Sequence, residues 1–197
     1  KQVSERQPLV TAKQFTVTND YLQLQVEFPL KVISSAVHNA GMGWYNNFLN
    51  RSISPYYNIE NVKEETVQFL LERGFSLTNT VVMLTAVEAN LVSIRSFHHE
   101  RFSITIAVTA GVGNAVDVTK TYERQDTPYI GTINTWVIVN GKLSDEAFYQ
   151  AMITATEAKT KALTEEEIRD VQTNTIATGT ATDSLLIAAT QHGEEMP

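Results

Sequence analysis

Towards its C-terminal end the chain sets two hydroxyls and a carboxylate within four residues, Thr180-Ala-Thr-Asp183. A hydroxyl two or three residues from a carboxylate on a sharp loop is placed for activation as a nucleophile. The same residues suit a cap, in which Asp183 accepts backbone N–H groups. Three more segments share this small, polar character besides Thr178–Asp183: Ser34–Gly43, Thr109–Asn114 and Gly131–Asn134. Each lies at or beside the end of an expected strand, where such loops line polar pockets and offer N–H groups to a substrate carbonyl. Plain turns use the same residue types, so the weight rests on finding four of them in one small domain. Two further carboxylates are candidates. Glu157 lies four residues before Lys161, the spacing of an exposed helical ion pair unless that side borders a pocket. Glu88 follows the apolar run Val81–Val87, which puts it at a strand end or buries it in a perturbed state.

Several chemistries are excluded or poorly served. The 197 residues contain no cysteine, which removes disulfides, thiolate zinc sites, iron–sulfur centres and Cys nucleophiles. Fifteen Lys and Arg against 22 Asp and Glu give a net charge of −7, unfavourable for nucleic-acid or anionic-membrane binding. Gly41-Met-Gly43 and Gly111-Val-Gly113 lack the third glycine and the lysine of nucleotide-binding loops. Ser34 and Ser35 do not sit in a G-x-S-x-G elbow. His98 and His99 are adjacent and point to opposite faces of an extended segment, and His38 and His192 stand alone, so no metal site is expected. No apolar run reaches the ~20 residues of a membrane helix. The polar opening Lys1–Pro8 lacks the apolar stretch of a signal peptide, and the expectation is a cytoplasmic protein.

The elements that must position these residues follow from periodicity. Leu22, Leu24, Val26 and Phe28 alternate with polar residues, a half-buried strand. Pro29 is expected to interrupt it, with a second strand over Lys31–Val37 and a loop over His38–Gly43. A helix is predicted over Asn61–Arg73 with Gly74 as its stop, and strands over Thr80–Ala89, Phe102–Ala110 and Thr132–Val139. Ser144 is a good N-cap, with Asp145 and Glu146 in the first turn and a Leu143–Phe148 staple. The stripe Ala147, Ala151, Ala155, Ala158 and Ala162 lets this helix approach a sheet closely. Thr164 with Glu167 has the pattern of a capping box opening a second short helix. Residues 1–13 read as a loose leader. The fold class expected is α/β (α+β), a single domain over 1–197 with a mixed sheet covered by helices, in one layer or several.

Taken in order, the small-residue segments also resemble a known family. Ile33-Ser-Ser-Ala-Val-His-Asn39, Leu84-Thr-Ala86, Thr109-Ala-Gly-Val-Gly-Asn114, Gly131-Thr-Ile-Asn134, Thr154-Ala-Thr-Glu-Ala-Lys159 and Gly179-Thr-Ala-Thr-Asp183 together are similar to the adenosylcobinamide amidohydrolases, CbiZ. The match runs from about Lys31 to Asp183. His38–Trp44 is less typical of the family than Ser34-Ser35. Family members also continue with a Gly-rich stretch beyond the position of His192. The resemblance implies hydrolysis of the amide joining the aminopropanol arm to the corrin ring, giving adenosylcobyric acid and 1-amino-2-propanol. The corrinoid would then be the substrate, with no cofactor required, no nucleic-acid or membrane partner, and homo-oligomerisation left open. A corrinoid-binding salvage protein that does not cleave its ligand is the competing expectation. For hydrolysis, Asp183 is expected first as general base, then Glu157 or Glu88, with Thr180, Thr182 or Ser35 as nucleophile or orienting hydroxyl. Ser34, His38, Asn39, Thr109, Asn114, Thr132 and Asn134 are expected to bind substrate, the Asn amides offering both donors and an acceptor.

Overall fold

The structure, a computed structural model, describes residues 9–57, 60–123, 125, 131–193 and 195–196. Its strands are β1 (Phe15–Val17), β2 (Tyr21–Ser34), β3 (Gly41–Ser52), β4 (Thr80–Thr85), β5 (Ser93–His98), β6 (Ser103–Ala110), β7 (Ala115–Val116), β8 (Ile133–Asn140), β9 (Lys142–Leu143), β10 (Gly179–Thr180), β11 (Ser184–Ala189) and β12 (Glu195–Met196). Two α-helices accompany them, α1 (Val62–Glu72) and α2 (Asp145–Glu165).

Leu22, Leu24 and Val26 are buried and Gln25 and Glu27 exposed, as the alternation requires. Pro29 does not end the strand. It falls in a register shift between Gln25 and Leu30, where a missing N–H breaks no ladder bond, and β2 runs on to Ser34. The expected His38–Gly43 loop is shorter, because Gly41 pairs with Ser34 and opens β3. That strand carries Asn46, Asn47, Asn50 and Arg51, a composition that hides it from propensity.

The main sheet has the order β4-β3-β2-β11-β8-β6-β5, with β1 on β2; the β3–β4 and β8–β11 pairs are parallel. Laid flat, β4 and β8 would lie four strand spacings apart, roughly 19 Å. Yet Trp136 Nε1 of β8 donates to Met83 Sδ of β4 at 3.2 Å. The sheet therefore folds over on itself. Its inner faces enclose one core of Leu22, Leu24, Leu30, Val32, Phe48, Val81, Trp136 and Leu186. Outside, α1 covers β3 and β4 through Phe69, Leu70, Leu49 and Val82. On the other side α2 covers β8 and β11 through Ala147, Phe148, Val139 and Ile187. The layering is helix, sheet, sheet, helix, and the α+β class stands.

Ser144 caps α2 by accepting from Ala147 N, and Leu143 and Phe148 share one buried cluster. No second helix begins at Thr164. Its hydroxyl donates back to Thr160 O inside α2, which ends at Glu165, and Glu167 takes a φ of 52°. The expected leader is tethered where it is described. Val10 is buried, its N–H donating to Asn140 Oδ1 and its carbonyl accepting from Asn140 Nδ2, both at 2.7 Å. Residues 1–8 lie outside the described residues. No helix among the described residues is long and apolar enough to cross a membrane.

Candidate functional site

Strand direction decides which corners meet. In the parallel β8–β11 pair Ser184 lies opposite Asn134, and in the antiparallel β6–β8 pair Thr109 lies opposite Asn134. β2 ends at the same edge, with Ser35 N donating to Leu185 O and Leu185 N to Ser35 Oγ. Ser34 Oγ, just before, accepts from Ala36 N. The short β7–β10 ladder sets Thr180 opposite Ala115, bringing the loop after β6 against the loop before β11.

Asp183 ties these corners together. Oδ1 accepts from Ile133 N at 3.0 Å and from Thr180 Oγ1 at 2.5 Å, and Oδ2 from Thr180 N at 3.1 Å and Lys159 Nζ at 2.5 Å. Two backbone N–H groups, a hydroxyl and an ammonium occupy its lone pairs, which satisfies a carboxylate only 17% exposed. Of the hydroxyls expected beside it as nucleophile or orienting group, the one whose proton lies within its reach is Thr180. Gly179 permits this approach, since a Cβ there would come within 2.5 Å of Asp183 Oδ2 and 2.8 Å of Lys159 Nζ.

A buried polar chain lies behind it. Asn134 Nδ2 donates to Asn50 Oδ1 at 2.7 Å and Leu84 O at 2.8 Å, and Asn50 Nδ2 donates to Thr109 Oγ1 at 2.8 Å. Thr132 Oγ1 stands 3.1 Å from Asn134 Oδ1 and 2.8 Å from Thr182 O, with one proton to give. Thr182 Oγ1 donates to Gly131 O. Asn114 packs over Gly131, where a Cβ would come within 2.5 Å of its Oδ1. Among the described residues that oxygen is buried without a hydrogen-bond partner. The loops are anchored further out by Asp170, which accepts from Asp117 N, Gln172 N and Thr173 N. The Thr175 hydroxyl, with the Thr119 hydroxyl and N–H, holds the Asp117 carboxyl below the ordinary range despite the nearby Asp170.

Two clefts flank the Gly131–Ile133 segment. One, of about 260 Å³, opens between α2 and the ends of β8 and β11, lined by Ser35, Ile133, Met152, Lys159, Asp183 and Ser184 among others. The other, of about 390 Å³, is lined by Ala86–Glu88, Leu91, Ala110–Gly113 and Gly131. Glu88 is exposed there and, among the described residues, is the one ionisable group in that wall.

Other expected residues lie elsewhere. His38 Nε2 meets Leu77 O at 2.8 Å, and Asn39 Nδ2 donates to Leu77 O and Thr80 O. Both are taken up at the start of β4, whereas Asn134 reaches Leu84, four residues or roughly 13 Å further along. Asn39, at φ 56°, serves the backbone turn. Glu157 is exposed on the side of α2 away from the cleft that Ala155 and Lys159 line, and Lys161 pairs with Glu165 instead. Sequence reasoning missed Lys159 and Asn50. The alanine stripe held the signal for Lys159, which follows sheet-facing Ala155 by four residues.

A layered α+β domain that gathers an acid, a cation, hydroxyls and amides at its strand ends defines the class of protein. The chain belongs to the adenosylcobinamide amidohydrolase family, CbiZ, whose match covers residues 6–197. It is 30% identical over 133 residues to the adenosylcobinamide amidohydrolase of Methanosarcina mazei, covering 68% of this chain and 58% of that protein. It is 30% identical over 158 residues to the uncharacterized protein MJ1613 of Methanocaldococcus jannaschii, covering 70% of this chain and 62% of that one. Over 172 residues it is 24% identical to the uncharacterized ABC transporter ATP-binding protein YvrA of Bacillus subtilis, covering 87% of this chain but 30% of that protein. The chain thus spans less than two thirds of the length of these relatives.

Proposed function

We propose that this domain hydrolyses adenosylcobinamide at the amide bearing its aminopropanol arm, giving adenosylcobyric acid and 1-amino-2-propanol. The observation that carries the reading is the Thr180–Asp183–Lys159 constellation, of which Asp183 and Lys159 line the smaller cleft. A hydroxyl donates to a carboxylate that is itself held by two backbone N–H groups, the arrangement of a nucleophile with an oriented base. Thr180 Oγ1 attacks the amide carbon as its proton passes to Asp183 and on to the departing amine. The Lys159 ammonium, on the other carboxylate oxygen, supplies positive charge for the carbonyl oxygen as it becomes an oxyanion. Water then hydrolyses the resulting ester. Every group in this scheme is a side chain of the protein or water, and the corrinoid is substrate only.

Incubation with adenosylcobinamide, followed by chromatography of the corrinoid and detection of the amine, tests the reading. Adenosylcobyric acid and 1-amino-2-propanol are expected in equal amounts. Saturable corrinoid binding with neither product would overturn it in favour of a binding protein.

A further inference from the structure

Beside the smaller cleft lies a strip of sheet that α2 leaves uncovered. In the β2–β3 ladder Met42 pairs with Ile33 and Trp44 with Lys31. Ile33 packs under α2, and Lys31 lies over the Phe148 ring of α2 and pairs with Asp145, so all four side chains share the outer, α2-side face. Tyr45, one residue on, turns to the inner core instead. Yet Trp44 is 53% and Met42 42% exposed, whereas the other tryptophan, Trp136, is 1% exposed. An indole and a thioether side by side on a rigid strand, with the nearest cation already paired, form an apolar shelf rather than a scattered surface residue.

The shelf is continuous with the cleft. β2 lies between β3 and β11, so Met42 stands two strand spacings from Ile187, and Leu185 in the cleft wall, two residues along β11 on the same face, is roughly 12 Å away. Ser35, also in that wall, follows Ile33 by two residues, just past the end of β2. We infer that Met42 and Trp44 form the docking surface for the apolar face of the corrin macrocycle, so that its amide arm reaches across β2 into the Lys159–Asp183 cleft. This rests on the proposed corrinoid substrate and names the part of the protein that recognises its bulk. Indole on one side of a flat conjugated ring gives stacking area with little lost side-chain freedom, the usual basis of an aromatic anchor.

Cobyric acid separates this inference from the hydrolysis, because it keeps the macrocycle and has no scissile aminopropanol amide. Its affinity would be measured by equilibrium dialysis for wild type, Trp44→Ala, Trp44→Phe and Phe97→Ala, with thermal melts confirming the fold. Phe97, exposed to 58% on the distant edge strand β5, is the control. Trp44→Ala is expected to weaken binding at least ~10-fold, Trp44→Phe to restore most of it, and Phe97→Ala to stay within about twofold. Equal binding by Trp44→Ala, or an equal loss in Phe97→Ala, would overturn the shelf. If wild type binds cobyric acid through Trp44 but releases no amine from adenosylcobinamide, the hydrolytic reading fails and the shelf stands.

Discussion

Asp183 is the residue on which the site turns, and its geometry divides what local sequence shows from what only folding shows. Thr180 and Asp183 are three residues apart, so their hydrogen bond is a property of one tight loop and was legible in the order of residue types. Lys159 is 24 residues away in another element, and no spacing rule joins them. Asn50 was invisible for a related reason: it lies in a strand whose polar composition concealed it, and only the folded-over sheet brings it to Asn134 and Thr109. Asn39 misled in the opposite way. Its small-residue neighbourhood looks like a substrate corner, but its amide serves the carbonyls of Leu77 and Thr80. Gly179 gives a residue-scale prediction. Its replacement by Ala puts a Cβ against both Asp183 Oδ2 and Lys159 Nζ, forcing the pair apart. Turnover of Gly179→Ala should fall about 100-fold with little change in melting temperature, and steady-state kinetics beside a thermal melt would check this.

At the scale of elements, α2 is the part the sequence specifies best. Its Ser144 cap, acidic first turn and the Ala147, Ala151 and Ala155 part of the alanine stripe act as their positions require, whereas Ala158 and Ala162 are exposed; together the cap and the packed alanines seat Lys159 in the cleft. Local capping chemistry reads well because donor and acceptor lie within one turn. It misleads where context overrides it: the Thr164–Glu167 pattern begins no helix, since that threonine is still inside one. Ser144→Ala removes the acceptor for Ala147 N, and its expected cost is about 1 kcal/mol, a fall of roughly 2–4 °C in Tm by calorimetry. The strands show the reverse balance. Pattern located β2, β4, β6 and β8, but not β3 or the exposed β5, because neither presents a clean alternation.

For the whole molecule, the fold class was legible from interspersed helices and strands, whereas the folding-over was not, because it depends on a bulge at Pro29 and on contacts such as Trp136 with Met83. The outer helix on the opposite side is tied in electrostatically. Arg51 of β3 forks onto Glu65 of α1 through two bonds of 2.6 Å and lies over the Phe69 ring, and the Tyr57 hydroxyl donates to the same carboxylate. The Arg51 hydrogen bond, chiefly, holds the Glu65 carboxyl below its ordinary value of 4.5; burial, with Glu65 beside it, pushes the Tyr57 hydroxyl up to about 12. A carboxyl lowered in the folded state contributes its full stabilisation above its ordinary value and loses it as pH falls through the folded value. The Tm difference between wild type and Glu65→Gln should therefore be constant near neutrality and shrink below about pH 4. A gap that persists in acid would mean that the carboxylate charge does not hold α1 in place.

The convergence of distant corners on one carboxylate is tested most directly by the rate of 1-amino-2-propanol release from adenosylcobinamide, comparing wild type with Asp183→Asn and measuring corrinoid affinity in parallel. The expected result is a fall in kcat on the order of 10³ with affinity changed by no more than a few fold. A folded Asp183→Asn protein that releases the amine at the wild-type rate would contradict it.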